Sequence, residues 1–163
     1  CFVYLSFNYG YGAGLYWQNK PVQGGHGNAG EIGSIYRPED TIHRPALGEL
    51  LKRMQMQGHA IAHISELPNY FSDDLPVISD WVQEVGPYLR QSLAALKGVM
   101  DPTAIFFGGE APSGLRRALI NEANADDRIV HGPDPMLIES RIQGDAAHVG
   151  AAFLPLHQLI FRN

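Results

Sequence analysis

Three glycines alternate in Tyr9-Gly10-Tyr11-Gly12-Ala13-Gly14-Leu15, directly after an apolar run. Glycine at such a point allows positive φ and lets backbone N–H groups approach an anion closely. A glycine-rich hairpin with no ligand fits equally well, because short glycine repeats are common. No helix follows, so this is not a dinucleotide fingerprint, and the chain has no GxxxxGK[ST] phosphate loop. A second stretch, His26-Gly27-Asn28-Ala29-Gly30-Glu31-Ile32-Gly33, sets a carboxylate and an imidazole among glycines. A carboxylate such as Glu31 can accept two hydroxyl hydrogen bonds from a sugar. An isolated Glu more often only faces water or caps a helix, and an isolated His such as His26 is more often structural.

A third stretch, Phe107-Gly108-Gly109-Glu110, lies between a strand-like run and a helix-like one. In open α/β sheets the crevice beyond such strand ends binds ligands, and glycine lets a nucleotide lie against the backbone. Close helix–strand packing explains the pair as readily. The small residues Ser140, Gly144, Ala147, Gly150, Ala151 and Ala152 are best read as core packing. The sequence offers no glycosidase-type carboxylate pair, no Ser-His-Asp set and no CxxC. Its seven histidines are scattered; His59 and His63 share an i, i+4 spacing, which is too little for a metal site.

The elements that must position these residues follow from periodicity. Phe2 to Asn8 alternates as a strand, Gly10, Gly12 and Gly14 mark a tight turn, and Leu15-Tyr16-Trp17 is the returning strand. Asn19-Lys20-Pro21 adds a turn before a short extended stretch around Val22, and Arg37 to Pro45 reads as loop. Leu47, Leu50, Leu51 and Met54 give a helix from Ala46 to Gln57, stopped by Gly58. Val82, Val85, Leu89, Leu93 and Leu96 make a core-facing stripe on a helical region from Pro76 to about Met100. Gly86-Pro87 inside it predicts a kink or two abutting helices. Thr103 to Phe107 reads as a buried strand, Pro112 to Ala123 as a helix and Leu137 to Ile142 as a strand. Ala146 to Phe153 reads as a small-residue helix, and Leu154 to Phe161 as its continuation or a terminal extension. Together these predict a mixed sheet with helices on its faces.

Bulk composition narrows the function classes. A chain of 163 residues with 45% hydrophobic and 18% charged residues suits one globular domain rather than a disordered segment. Twelve Lys and Arg against 17 Asp and Glu leave a net charge of −5, which argues against a DNA-contacting surface. The single cysteine, Cys1, cannot close an internal disulfide. No apolar run reaches the roughly 18–20 residues needed to span a bilayer, and no signal-peptide pattern opens the chain. A cytoplasmic location and no membrane contact are therefore expected. The chain opens inside a strand without an initiator Met, which reads as a piece of a longer protein.

Taken in order and spacing, the run Tyr9 to Leu15 followed by Gly24-Gly25-His26-Gly27-Asn28-Ala29-Gly30-Glu31-Ile32-Gly33 resembles the signature of the repressor, open-reading-frame, kinase (ROK) family. Ile105-Phe106-Phe107-Gly108-Gly109 and Gly144 to Ala152 continue the likeness over nearly the whole chain, residues 36–74 being least similar. The resemblance implies an actin-like ATPase (ribonuclease H-like) fold, with residues 1–163 as the C-terminal lobe. The N-terminal lobe and any DNA-binding domain would lie outside the chain. By that resemblance Gly10, Gly12 and Gly14 face nucleotide phosphates, and Gly108 and Gly109 lie near adenosine. Glu31 holds sugar hydroxyls with His26 close by, and Ser34 stands where family kinases carry a His after Glu-Ile-Gly.

Further departures are the lack of a cysteine-rich zinc loop with its second sugar-binding Glu, and of the catalytic Asp, which the family places upstream of the first strand. Loss of base, lobe and sugar contact would abolish phosphoryl transfer. The resemblance therefore implies the sugar-sensing, dimerising part of a transcriptional regulator of the N-acetylglucosamine/xylose repressor type, with no catalytic residue of its own. Its partners would be a small sugar or sugar phosphate, a second copy of itself, and DNA only through a separate N-terminal domain. ATP is implied only for a kinase, and zinc is not expected. The alternative is the C-terminal lobe of an ATP-dependent ROK sugar kinase; a degenerate lobe kept for subunit contacts is a third reading.

Overall fold

The computed structural model describes residues 1–71, 75–125, 132–142 and 144. Strand β1 (Phe2–Phe7) sends Val3, Leu5 and Phe7 to one side, all fully buried, as its alternating sequence requires. It pairs antiparallel with β2 (Tyr11–Trp17), which pairs antiparallel with the short β3 (Lys20–Pro21). On its other edge β1 pairs in parallel with β4 (Ala104–Gly109), and β4 in parallel with β5 (Met136–Glu139). The five strands thus lie in the order β3-β2-β1-β4-β5.

Helix α1 (Leu47–Met56) buries Leu47, Leu50, Leu51 and Met54, the stripe its spacing dictates. A short helix α2 (Leu67–Tyr70) follows, then α3 (Pro76–Met100) and α4 (Ser113–Ala123). Their buried faces, Trp81 and Leu89 of α3 among them, join Val3, Leu5, Phe7, Ile105 and Phe107 in one apolar cluster. The opposite sheet face carries Phe2 stacked on Tyr16 with ring centroids 4.7 Å apart and edge-on to Phe106 at 5.6 Å.

Several expectations are corrected. Gly12 and Gly14 lie inside β2 and only Gly10 lies in the turn; none of the three has positive φ. Nor does internal packing demand glycine at these positions: a Cβ on Gly10 would meet nothing within 4 Å, and one on Gly12 or Gly14 only ordinary contacts at 4.0 Å. The second hairpin turn is Gln18-Asn19, both with positive φ, one residue earlier than expected, and the extended stretch is Lys20–Pro21. Residues Pro38–His43 form a 3₁₀ helix where a loop was expected. Helix α3 runs unbroken through Gly86-Pro87 and is not two abutting helices. Gly86 is buried, and a Cβ there would collide with the Glu122 carboxylate of α4, which Arg90 Nη1 bonds at 2.9 Å. The glycine thus serves close helix packing. Strand β5 ends at Glu139, three residues short of expectation. The expected segment Ala146 to Phe161 lies outside the described residues.

Candidate functional site

Parallel β1 and β4 end side by side, at the sheet edge where α/β ligands bind. The turn Asn8–Gly10 leaves β1 there, and the chain leaves β4 at Glu110, Gly108 and Gly109 being the last two residues of that strand and not the loop expected after Phe107. Asn8 stitches the two together: its Oδ1 accepts the Glu110 N–H at 2.9 Å, and its Nδ2 donates to Ser6 Oγ at 3.2 Å. The Phe7 carbonyl also accepts the Glu110 N–H, at 3.0 Å. The Tyr4 hydroxyl accepts the Gly109 N–H at 3.0 Å, and its ring lies where a Cβ of Gly108 would be. A Cβ on Gly109 would sit 2.5 Å from the Phe7 carbonyl oxygen. Internal packing thus gives both glycines a physical reason.

Helix α1 points its N-terminus at the same turn. It has no side-chain cap; instead Leu47 N–H donates to the Asn8 carbonyl at 2.8 Å and Gly48 N–H to the Tyr9 carbonyl at 3.3 Å. The Tyr9 hydroxyl shares a 3.0 Å hydrogen bond with His63 Nδ1 and accepts the Ile64 N–H at 3.4 Å.

The Glu31 loop docks on the open edge of β2 beyond β3. Ala13 N–H donates to the Gly30 carbonyl at 2.9 Å. Gly30 has φ +96°, and any Cβ there would overlap the Ala13 carbonyl, so this position demands glycine. Glu31 therefore follows directly on a residue fixed to the glycine strand. Its side chain is exposed at the start of a 3₁₀ helix (Ile32–Ile35) and makes no cap bond. Ser34 Oγ donates back to the Glu31 carbonyl at 2.8 Å. His26 is exposed in a bend closed by Ala29 N–H bonding to the Gln23 carbonyl at 3.2 Å.

Helix α3 holds this loop from below. Buried Tyr11 bonds Ser92 at 2.8 Å, and Tyr36 donates to the Tyr88 carbonyl at 2.9 Å. Burial pushes both phenols above their usual range, Tyr36 to about 12, so both stay protonated. One turn earlier, Glu84 bonds His43 Nδ1 at 2.7 Å and Arg53 Nη1 at 2.7 Å, while the His43 ring stacks on Tyr88. Arg53, aided by His43 and opposed by partial burial, draws the Glu84 carboxyl down to about 2. This clasp holds the segment after Glu31 by an ion pair. Among the described residues no three His, Cys, Asp or Glu side chains gather as a metal site, and no helix is long and apolar enough to cross a membrane.

The structure thus brings Glu31, Ser34, Gly12 and Gly14 to one region around β2, and Gly10, Gly108 and Gly109 to the adjoining strand ends. Sequence reasoning gave no role to Asn8, Gly48 or Glu84, and used Tyr9 only as the first residue of the glycine-rich run. Only Gly48 carried a signal, being a glycine in the first turn of a helix.

This mixed five-stranded sheet, with two antiparallel and two parallel pairings and helices packed on it, has the actin-like ATPase fold of the ROK sugar kinases it matches. The chain belongs to the ROK family, whose model matches residues 1–156. Among solved structures it is similar to a ROK hexokinase from Thermus thermophilus (TM-score 0.69, 22% identity, covering 96% of this chain and 58% of that one). It is also similar to a ROK family glucokinase from Streptomyces griseus, solved with glucose and AMPPNP (TM-score 0.66, 20% identity, 94% and 59% covered). A ROK transcriptional regulator homologous to the E. coli MLC protein matches at TM-score 0.58 and 23% identity, with 86% and 42% covered. The uncharacterized protein y4fQ of Sinorhizobium fredii is 26% identical over 164 residues, 97% of this chain and 41% of that protein. The chain therefore spans less than two thirds of each of these relatives.

Proposed function

We propose that this chain is the C-terminal, sugar-sensing and dimerising lobe of a ROK transcriptional regulator and is not catalytic on its own. The observation that carries the reading is how the amides around the glycine turns are used. Gly109 N–H goes to Tyr4, Glu110 N–H to Phe7 and Asn8, and the first amides of α1 to the Asn8 and Tyr9 carbonyls. A nucleotide laid against Gly108 and Gly109, where the resemblance puts adenosine, would find these amides already bonded within the protein. The exposed Glu31 carboxylate, fixed to β2 through Gly30, remains available to sugar hydroxyls, with Ser34 and His26 on the same loop. The net charge of −5 supports a reading in which DNA contact belongs to another segment.

The second reading, the C-terminal lobe of an ATP-dependent sugar kinase, is favoured by the retained glycines Gly10, Gly12, Gly14, Gly108 and Gly109 and by the kinases among its structural relatives. Calorimetry on the natural full-length polypeptide separates the two, using D-glucose, D-xylose and N-acetyl-D-glucosamine with and without MgATP. The regulator binds one of the sugars, and Glu31→Gln weakens that binding about tenfold or more, as expected for a charge-assisted hydrogen bond. Sugar-dependent ATP turnover would replace the regulator by the kinase.

A further inference from the structure

Tyr9 sits at the crown of the first hairpin turn, four residues before Ala13, where β2 meets the Glu31 loop, yet the residue remains 50% exposed. An aromatic ring left half in water is ordinarily mobile. This one is held at both ends. Its carbonyl accepts the Gly48 N–H, and its hydroxyl is bonded to His63 Nδ1 at 3.0 Å and to Ile64 N–H at 3.4 Å. The surrounding residues are chosen for that placement. Gly48 has no Cβ, which would otherwise stand 2.8 Å from the Tyr9 carbonyl oxygen, so α1 can seat directly beneath the turn. The Glu66 carboxylate in turn accepts the His63 N–H at 3.1 Å, fixing the histidine that steadies the ring. The result is a rigid, partly exposed aromatic face whose ordering entropy is already spent in the free protein.

We infer that Tyr9 is a binding residue of this site, its ring serving as a stacking platform for one face of a pyranose. The inference rests on the sugar-sensing reading above. A pyranose has one face lined by C–H groups, apolar and slightly positive, which suits the negative face of a phenol ring. Its rim of hydroxyls suits a carboxylate such as Glu31. The two residues supply the two halves of that recognition from adjoining elements: the ring from the β1–β2 turn, the carboxylate from the loop fixed to β2 at Ala13. A phosphate, by contrast, gains nothing from a neutral ring.

The test titrates the natural full-length polypeptide, wild type and variants, with D-glucose, D-xylose and N-acetyl-D-glucosamine, following heat and the ring-proton shifts of the sugar by NMR. Tyr9→Ala should raise the dissociation constant of the sugar that binds about tenfold, equivalent to about 1.4 kcal/mol. Tyr9→Phe, which keeps the ring and loses the His63 bond, should recover affinity to within about threefold. Upfield shifts of the sugar C–H protons should appear with wild type and Tyr9→Phe and vanish with Tyr9→Leu, which keeps bulk without a π face. Read at sugar concentrations where the heat signal shows the Tyr9→Leu protein to be saturated, that last readout is insensitive to a purely structural role. If Glu31→Gln weakens binding while Tyr9→Ala and Tyr9→Leu bind and shift the sugar like wild type, the platform is wrong and the sugar-sensing reading stands. If no sugar binds the wild type, both are overturned.

Discussion

Glu84 shows how much one side chain can do away from the ligand. Its carboxylate receives Arg53 from α1 and His43 from the 3₁₀ helix Pro38–His43, and the guanidinium is the chief reason its carboxyl titrates at about 2 instead of 4.5. A depressed folded-state pKa stabilises the fold above the unfolded value and ceases to do so as pH falls through the folded one. Glu84→Gln should therefore lower the melting temperature fully at about pH 6, and the difference from wild type should fade between about pH 4.5 and 2. The carboxylate side chain is 36% exposed, so after solvent screening the effect is at most about 1 kcal/mol. Urea melts across that range read it directly, and a difference independent of pH would disprove the clasp. At the same scale Glu31 and Tyr9 divide the proposed recognition into a polar and an apolar half, each lost by its own substitution.

Among the elements, α3 organises the site from one face. Glu84, Tyr88 and Ser92 stand one turn apart and hold, in that order, the segment before α1, Tyr36 after the Glu31 helix, and Tyr11 of β2. Helix α1 supports the hairpin turn through its first two amides, which is why Gly48 lies inside its first turn. Gly48→Ala should destabilise the protein by about 1–3 kcal/mol, because the new Cβ meets a backbone carbonyl that cannot turn away. Gly98→Ala in α3 is the control: open space surrounds that position, so the same change should stabilise by about 0.5–1 kcal/mol through helix propensity alone. Denaturant midpoints of the two variants moving in the same direction would remove the close-approach explanation for Gly48.

At the scale of the whole molecule, stability rests on the central pair β1 and β4, whose Val3, Leu5, Phe7, Ile105 and Phe107 are fully buried under the helices. Leu5, flanked across the strands by Ala13 and Phe107, should cost about 2–5 kcal/mol on truncation to Ala, with the turn at Asn8–Gly10 loosened along with it. Denaturant midpoints and sugar affinity measured on Leu5→Ala test whether fold and site share that core. The sequence by itself determined the strands and helices whose apolar residues keep a strict period: β1, α1, α4 and the stripe of α3. It also determined the family, because the glycines and Glu31 occur in a fixed order that local chemistry leaves visible. It could not reveal that Gly12 and Gly14 lie within a strand, since a strand with bare positions and a turn look alike in composition. It could not show that α3 passes unbroken through Gly86-Pro87, because the reason for that glycine, the Glu122 carboxylate, is on another helix. Nor could it find the joining of Asn8 to Glu110, Tyr9 to His63 or Glu84 to His43, contacts spanning 41 to 102 residues of chain. Local periodicity is written along the backbone; which amide, ring or carboxylate meets which is decided only when the sheet and α3 close on one another.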